Sequence, residues 1–255
     1  MKLTVITFNL RYDKPDPGVH QWEKRVGAIA SVIQHYQPDL LGTQEGKAHQ
    51  LRDLQALIPE YNFIGGDRTG TGTSEHCAIF YHPQRLKLQK TQDFYLSDTP
   101  EIPGSITWGT RLPRMATWAN FQVGNPSISL TILNTHLDHE NAQARELGAA
   151  LVNQRLMEFP PDDYLLLTGD FNANPNTTAR QIFADNHKIQ DALATLTLEK
   201  QKTFHDFTGE AWDAIDTIYC DRRFQIEQVI IDHQKWADVW PSDHFPVIVQ
   251  LQSLF

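Results

Sequence analysis

Apolar positions divide the chain into short segments with two different periods. Residues 3–9 are rich in β-branched and aromatic side chains, the composition of a strand. Between 25 and 36, Val26, Ile29, Ala30, Ile33 and Tyr36 recur at helical spacing, and Pro38 ends the pattern. A second strand at 40–44 and a second helix at 48–57, closed by Pro59, complete a β-α-β-α opening, which feeds strands in parallel. The middle changes character. Residues 77–81, 86–94, 117–123 and 128–135 are strand-like runs separated by turn residues, a pattern of antiparallel strands. The stretch 97–114 is rich in Gly, Pro, Ser and Thr and predicts a long surface loop. Helical spacing returns at 141–159 through Leu147, Ala150, Leu151 and Leu156. An apolar strand at 164–167 runs into Thr168-Gly169-Asp170, and 215–219, 226–231 and 245–251 read as three more strands. The expectation is an α/β fold of two facing mixed sheets with helices on their outer faces. No linker or composition break appears, so residues 1–255 are expected to form one domain. Each half holds strands, helices and a polar strand end, which permits a distant duplication.

Composition narrows the function. Two cysteines, Cys77 and Cys220, are too few for a disulfide framework and favour a reducing compartment. Residues 1–10 lack the features of a signal peptide and read as a strand, so a cytoplasmic location is expected. No apolar run is long enough for a bilayer, so no membrane insertion is expected. The net charge of −9 and the lack of a Lys/Arg-rich run argue against a tight binder of long nucleic acid. Short oligonucleotides and small phosphate esters stay open. Oligomeric state leaves no signal in the sequence.

Chemistry-bearing residues collect where the strand-like runs end. The segments are Thr7-Phe8-Asn9, Thr43-Gln44-Glu45, Asn134-Thr135-His136-Leu137-Asp138, Gly169-Asp170-Phe171-Asn172, Ala214-Ile215-Asp216 and Ser242-Asp243-His244. They supply Asn9, Glu45, Asp170, Asn172 and Asp243 as oxygen ligands, with His136 and His244 as titratable donors. HExxH, paired CxxC and Cys/His clusters are absent, and an oxygen set suits Mg²⁺ or Mn²⁺ better than zinc. Cleaving a phosphate ester needs an attacking water, neutralised phosphoryl oxygens and help for the leaving oxygen. A cation on Glu45 serves the last two, a nearby carboxylate can take the water's proton, and histidines backed by carboxylates stay charged to meet the oxyanion.

Thr7 to Arg11, Gln44-Glu45, Asn134-Thr135-His136, Gly169-Asp170-Phe171-Asn172, Ile215-Asp216 and Ser242-Asp243-His244 resemble the signature blocks of the endonuclease/exonuclease/phosphatase superfamily, in family order. That group includes DNase I-like nucleases, abasic-site endonucleases, deadenylases, neutral sphingomyelinases and inositol polyphosphate 5-phosphatases. The resemblance implies a four-layer α/β/β/α sandwich. It implies Glu45 as the main Mg²⁺ ligand, Mn²⁺ being possible, with Asn9 beside it. It assigns Asp170 to the attacking water and Asn172, His136 and His244 to the phosphate. Asp216 would support His244, with Asp213 as a rival, and Asp243 would complete the metal or phosphate site. Glu75 would support His136, and Arg114 would contact phosphate. Trp22 with Arg25, residues 103–108, Arg114, Thr117-Trp118 and Thr203-Phe204-His205 resemble a bacterial branch of small single-domain members.

The leading reading is therefore a Mg²⁺-dependent phosphoesterase acting on a nucleic acid, nucleotide or other small phosphate ester. A sphingomyelinase-type phospholipase C is the alternative within catalysis, though no apolar hairpin for a lipid surface is evident. An inactive binding module on the same fold is the alternative outside it. Several neighbours have plainer readings. Asp138 is either a cap of the 141–159 helix or a site residue. His205 is equally a core-edge residue, Trp118 a packing residue, and Asp13, Asp16 and His20 solvated loop groups.

Overall fold

The computed structural model describes residues 1–124 and 127–254. The first half runs β1 (Lys2–Asn9), α1 (Trp22–Tyr36), β2 (Leu40–Gln44), α2 (Ala48–Leu57), β3 (Asn62–Ile64), β4 (Ile79–Tyr81), β5 (Leu86–Tyr95) and β6 (Met115–Val123). The second runs β7 (Ile128–His136), α3 (Ala142–Glu158), β8 (Tyr164–Asp170), α4 (Thr178–Ala184), β9 (Ile189–Asp191), β10 (Asp216–Asp221), β11 (Phe224–Ile231) and β12 (Val247–Ser253). Helix α1 begins at Trp22, ahead of the expected 25, because Gln21 is already extended and Trp22 turns into the core. The short strands β3 and β9 and the short helix α4 carry too few residues to display a period, so the hydrophobic pattern does not announce them.

Two six-stranded sheets form, in the orders β11-β12-β1-β2-β4-β3 and β5-β6-β7-β8-β10-β9. Moving every strand number by six turns one order into the other. Strands β1 and β2 are parallel, as are β7 and β8, and the remaining ladders are antiparallel. The two halves thus repeat one topology, and each lends its last two strands to the sheet begun by the other.

Side-chain alternation builds the layers. In β1, Ile6 and Phe8 pack with Trp22, Ile29 and Ile33 of α1, while Leu3 and Val5 face the second sheet. In β8, Leu165 and Leu167 pack with Val152 and Leu156 of α3, while Leu166 faces the first sheet. The result is the four-layer α/β/β/α sandwich of the DNase I type.

The inter-sheet space changes chemistry along the strands. At one end it is an apolar core of Leu3, Val5, Leu130, Ile132, Leu166 and Ile218. Next comes a buried polar layer. Gln44 Nε2 donates to Thr7 Oγ1 (3.1 Å) and Asn134 Oδ1 (2.7 Å), and Thr168 Oγ1 donates to the same Asn134 oxygen (3.1 Å). Asn134 Nδ2 then crosses to the other sheet and donates to the carbonyls of Thr43 (2.8 Å) and Ala78 (2.9 Å). Beyond this layer stand the charged strand ends.

Candidate active site

Register brings the charged ends together. Asn9 lies opposite Gln44 in the β1–β2 ladder, and Asp170 lies opposite both His136 and Asp216 in its two ladders. The segment after β2 turns sharply at Glu45, whose φ of 66° is uncommon for a residue with a side chain. A cleft of about 630 Å³ opens over these ends. Glu45, His136, Asp170, Asn172, Asp243 and His244 line it, with Glu75 and Arg114 on one wall. Asn9 and Asp216 are buried just behind.

His244 and Asp170 define the floor. His244 Nδ1 bonds Asp216 Oδ2 at 2.8 Å, and its Nε2 faces Asp170 Oδ2 at 3.9 Å. Thr203 Oγ1 donates to Asp216 Oδ2 at 2.6 Å, holding that carboxylate from behind. Burial opposes charge on His244, but Asp216 and then Asp170 outweigh it and lift the imidazole to about 10. Asp216, and not its rival Asp213, therefore backs the histidine; Asp213 accepts from Asn174 instead. Burial, reinforced by Asp216, pushes the Asp170 carboxyl up to about 7. Asp170 Oδ1 accepts the Asn172 N–H at 2.9 Å, while Asn172 Nδ2 donates to the Leu137 carbonyl.

Glu45 sits across from them. Its Oε2 accepts the Tyr12 N–H (2.9 Å) and its Oε1 accepts Asn9 Nδ2 (3.0 Å). Burial works against its charge, but these bonds and the His244 and Arg11 cations hold the carboxyl below its usual range. Asp243 pairs with Arg11 at 3.1 Å, yet burial and Glu45 keep its carboxyl raised. Carboxyl groups are thus crowded together faster than the protein's own cations neutralise them. Glu45, His136 and Asp170 each offer a ligand atom within 4.8 Å of the others.

Two expectations differ from the contacts found. The motif reading has Asn9 lend its oxygen to a metal. Its Oδ1 instead accepts the Arg11 N–H (2.9 Å), and Nδ2 donates to both Glu45 and Asp170 Oδ2 (3.0 Å), because two adjacent carboxylates need a donor between them. The same reading has Glu75 support His136. Its carboxylate instead forms a two-pronged pair with Arg68, both contacts at 2.7 Å. His136 therefore lacks that backing, and burial with the Arg114 and Arg68 charges holds it well below its ordinary range, so it is neutral where His244 is charged. Arg114 is buried at the wall, held by Asp138 (3.4 Å) and His139 (2.5 Å). Asp138 also accepts the Glu140 and Asn141 amides, but Asn141 is the residue whose side chain caps α3.

The cleft includes residues that the motifs did not single out, among them Tyr12, Arg68 and His139, and it includes Phe204 of the branch pattern. Arg11 closes the first of the sequence blocks, and its pairing with Asp243 gives it a role there. Arg68 and Glu75 follow no strand period, so only the folded loop could reveal their pair.

His205 turns out to be a core-edge group. It stacks on Phe245 at 3.9 Å, and its Nδ1 accepts the Gly209 N–H (3.2 Å), which requires the neutral ring. Burial and the His244 charge push it down to about 3. Above pH ~6.5 both folded and unfolded rings are neutral and the group adds no pH dependence. Below that, the unfolded chain takes a proton that the folded ring refuses, so stability falls by about 1 kcal/mol per pH unit until the folded value is reached. Urea unfolding at pH 7 and pH 4.5 should accordingly show a smaller acid loss in His205→Asn than in wild type, by roughly 2 kcal/mol. Equal losses in the two proteins would refute the assignment.

Among the described residues, no helix is long and apolar enough to cross a membrane. The family model described as Endonuclease/Exonuclease/phosphatase family matches residues 6–244. An endonuclease/exonuclease/phosphatase from Bacteroides vulgatus superposes with a TM-score of 0.92 at 28% identity, covering 99% of each chain. A mannosyl-6-phosphatase from Bacteroides thetaiotaomicron superposes with a TM-score of 0.88 at 30% identity, covering 98% of this chain and 99% of that one. An uncharacterized protein of Acanthamoeba polyphaga mimivirus is 28% identical over 264 residues, which is 91% of this chain and 92% of that protein.

Proposed function

The chain belongs to the endonuclease/exonuclease/phosphatase family, and from that premise we propose that it is a Mg²⁺-dependent phosphoesterase that hydrolyses small phosphate esters through an activated water. The observation that carries this reading is the charged His244–Asp216 pair facing Asp170, with Glu45 tethered beside them through Asn9. The donor set fits a hard cation, since crowded carboxylates with raised Asp170 and Asp243 are relieved by one. Glu45 and Asp243 would hold it, with Asn9 fixing the Glu45 carboxylate. When bound, the ion supplies Lewis-acid neutralisation of the phosphoryl and leaving oxygens.

The remaining work falls to side chains. Asp170 orients the attacking water and takes its proton on the carboxylate. His244 donates from Nε2 to a phosphoryl oxygen whose charge grows in the transition state, while Asp216 holds Nδ1–H and the ring orientation. Neutral His136 and the Asn172 amide contribute neutral donors. Arg114, whose Nη1 has no partner among the described residues, grips the phosphate.

Small substrates are favoured over long duplexes. The net charge of −9 leaves few phosphates to be neutralised along a backbone. The mannosyl-6-phosphatase likeness over nearly the whole chain supports a phosphorylated sugar as the substrate class. EDTA should abolish hydrolysis of bis-p-nitrophenyl phosphate, p-nitrophenyl phosphate and a panel of hexose 6-phosphates, and Mg²⁺ or Mn²⁺ should restore it. Full activity in EDTA would remove the metal from the mechanism. Faster turnover of oligonucleotides than of any sugar phosphate would overturn the substrate class alone.

A further inference from the structure

Arg25 lies on the first turn of α1 with no exposed surface, and among the described residues no carboxylate touches its guanidinium. Four backbone carbonyls surround it instead. Nη1 donates to Leu10 (2.9 Å) and Pro241 (2.6 Å), Nη2 to Arg11 (3.2 Å) and Nε to His20 (2.7 Å). Leu10 and Arg11 follow β1, whereas Pro241 precedes β12 near the other end of the chain. These two loops carry the partners of one ion pair, Arg11 Nη1 to Asp243 Oδ2 at 3.1 Å. Arg11 adopts a φ of 57°, a left-handed conformation that a side-chain-bearing residue keeps only when its surroundings hold it. Its carbonyl is held there twice, by Arg25 and by Gln50 Nε2 (3.0 Å). Ser242 Oγ adds a bond to the Asn9 carbonyl (2.7 Å). A lysine presents no planar fork and cannot reach carbonyls on two loops in this geometry.

We infer that Arg25 is a positioning residue that locks the loop of Arg11 to the loop of Asp243, and so sets the affinity of the site for its divalent cation. The inference rests on the reading of Asp243 as a ligand. Arg25 touches neither substrate nor ion; it acts through Pro241 on the residue two places along, and through the Arg11 carbonyl on the side chain that pairs with it.

The test uses Mn²⁺ alone, with the free aquo ion followed by electron paramagnetic resonance and no substrate present. Asp243→Asn should weaken Mn²⁺ binding by about tenfold or more; unchanged binding would sink the ligand reading itself. Given that loss, Arg25→Lys should also weaken Mn²⁺ binding by about tenfold, and in the Asp243→Asn background it should add less than about twofold. Trp22→Phe, which keeps a ring beside Arg25 but loses the bond from Trp22 to Asp53, should lower the melting temperature and leave Mn²⁺ binding within about twofold. If Asp243→Asn weakens binding and Arg25→Lys does not, or if the two losses multiply, the coupling is wrong. Wild-type hydrogen exchange gives a second measurement that needs no variant to fold. The Arg11, Tyr12 and His244 amides, bonded to Asn9, Glu45 and Ser242, should open as one unit with a common protection. Separate opening of the two loops would overturn the inference.

Discussion

His244→Ala and Asp170→Asn should each lower kcat by at least about a hundredfold while KM for a sugar phosphate moves little. Both groups act on charge or protons that change only on the way to the transition state, and such interactions appear in kcat. Arg114→Ala should act differently. A cation that grips phosphate before and during reaction contributes uniform binding, so its loss should fall mainly on KM. Asp13→Ala, in the loop where the Asp13 side chain meets, among the described residues, only the exposed His49, should be near neutral. Asp216→Asn supplies the pH signature. With Asp216 present, His244 stays protonated up to about 10. Without that negative charge, burial dominates and the ring's value drops, so the variant should lose activity as pH rises through the neutral range, where wild type keeps its proton. Steady-state kinetics on the variants, with circular dichroism as the folding check, decides the matter. Retention of most of the wild-type kcat in both His244→Ala and Asp170→Asn would remove these residues from the mechanism.

The reason these residues can be picked out from sequence is the two-residue period of a strand. An apolar run that ends in Asn9, in Asn134 to His136 or in Asp170 places its last polar groups on the buried face, where the inter-sheet core has given way to a polar layer. Function then reads as a violation of the pattern. What the sequence conceals depends on side chains meeting across the fold. His136 and His244 look alike as motif residues, and both have Nε2 near Asp170, but only the ladder that sets Asp216 opposite Asp170 decides which of them gains a second carboxylate, bonded at Nδ1. The direction of the Asn9 amide depends on a backbone N–H two residues on and on two carboxylates brought together from the ends of separate strands, Glu45 just past β2 and Asp170 closing β8. The short strands β3 and β9 pair only at sheet edges, where partners and not propensity define them. Arg25 stands out in the sequence as part of a branch pattern, yet its four carbonyl partners come from segments with no common motif.

The polar layer beneath the site yields the other large effect. Gly42→Ala should destabilise the protein by about 3 kcal/mol or more, lowering the melting temperature by roughly 6–12 °C. A Cβ at Gly42 would stand 2.2 Å from Thr168 Oγ1 and 2.7 Å from Asn134 Oδ1. Neither neighbour is free to move. Thr168 Oγ1 donates to Asn134 and faces the Leu133 carbonyl, and Asn134 also satisfies the Thr43 and Ala78 carbonyls of the opposite sheet. The methyl must therefore part the sheets or orphan buried polar groups, each of which costs about 1–3 kcal/mol. Parting the sheets would also move Glu45 away from Asp170, since Gly42 lies on the strand that Glu45 follows. The same substitution at Gly27 should have the opposite sign. Gly27 is an exposed position inside α1, and a Cβ there would meet nothing within 4 Å, so alanine should stabilise by about 0.5–1 kcal/mol. Thr168→Ala removes the 2.2 Å neighbour, so the Gly42→Ala/Thr168→Ala pair should be less destabilised than the sum of the single losses. Thermal melts of the four variants test this directly: a Gly42→Ala protein melting within about 2 °C of wild type would mean that the sheets are not held at this spacing, and that Asn134 is not what sets the distance between Glu45 and Asp170.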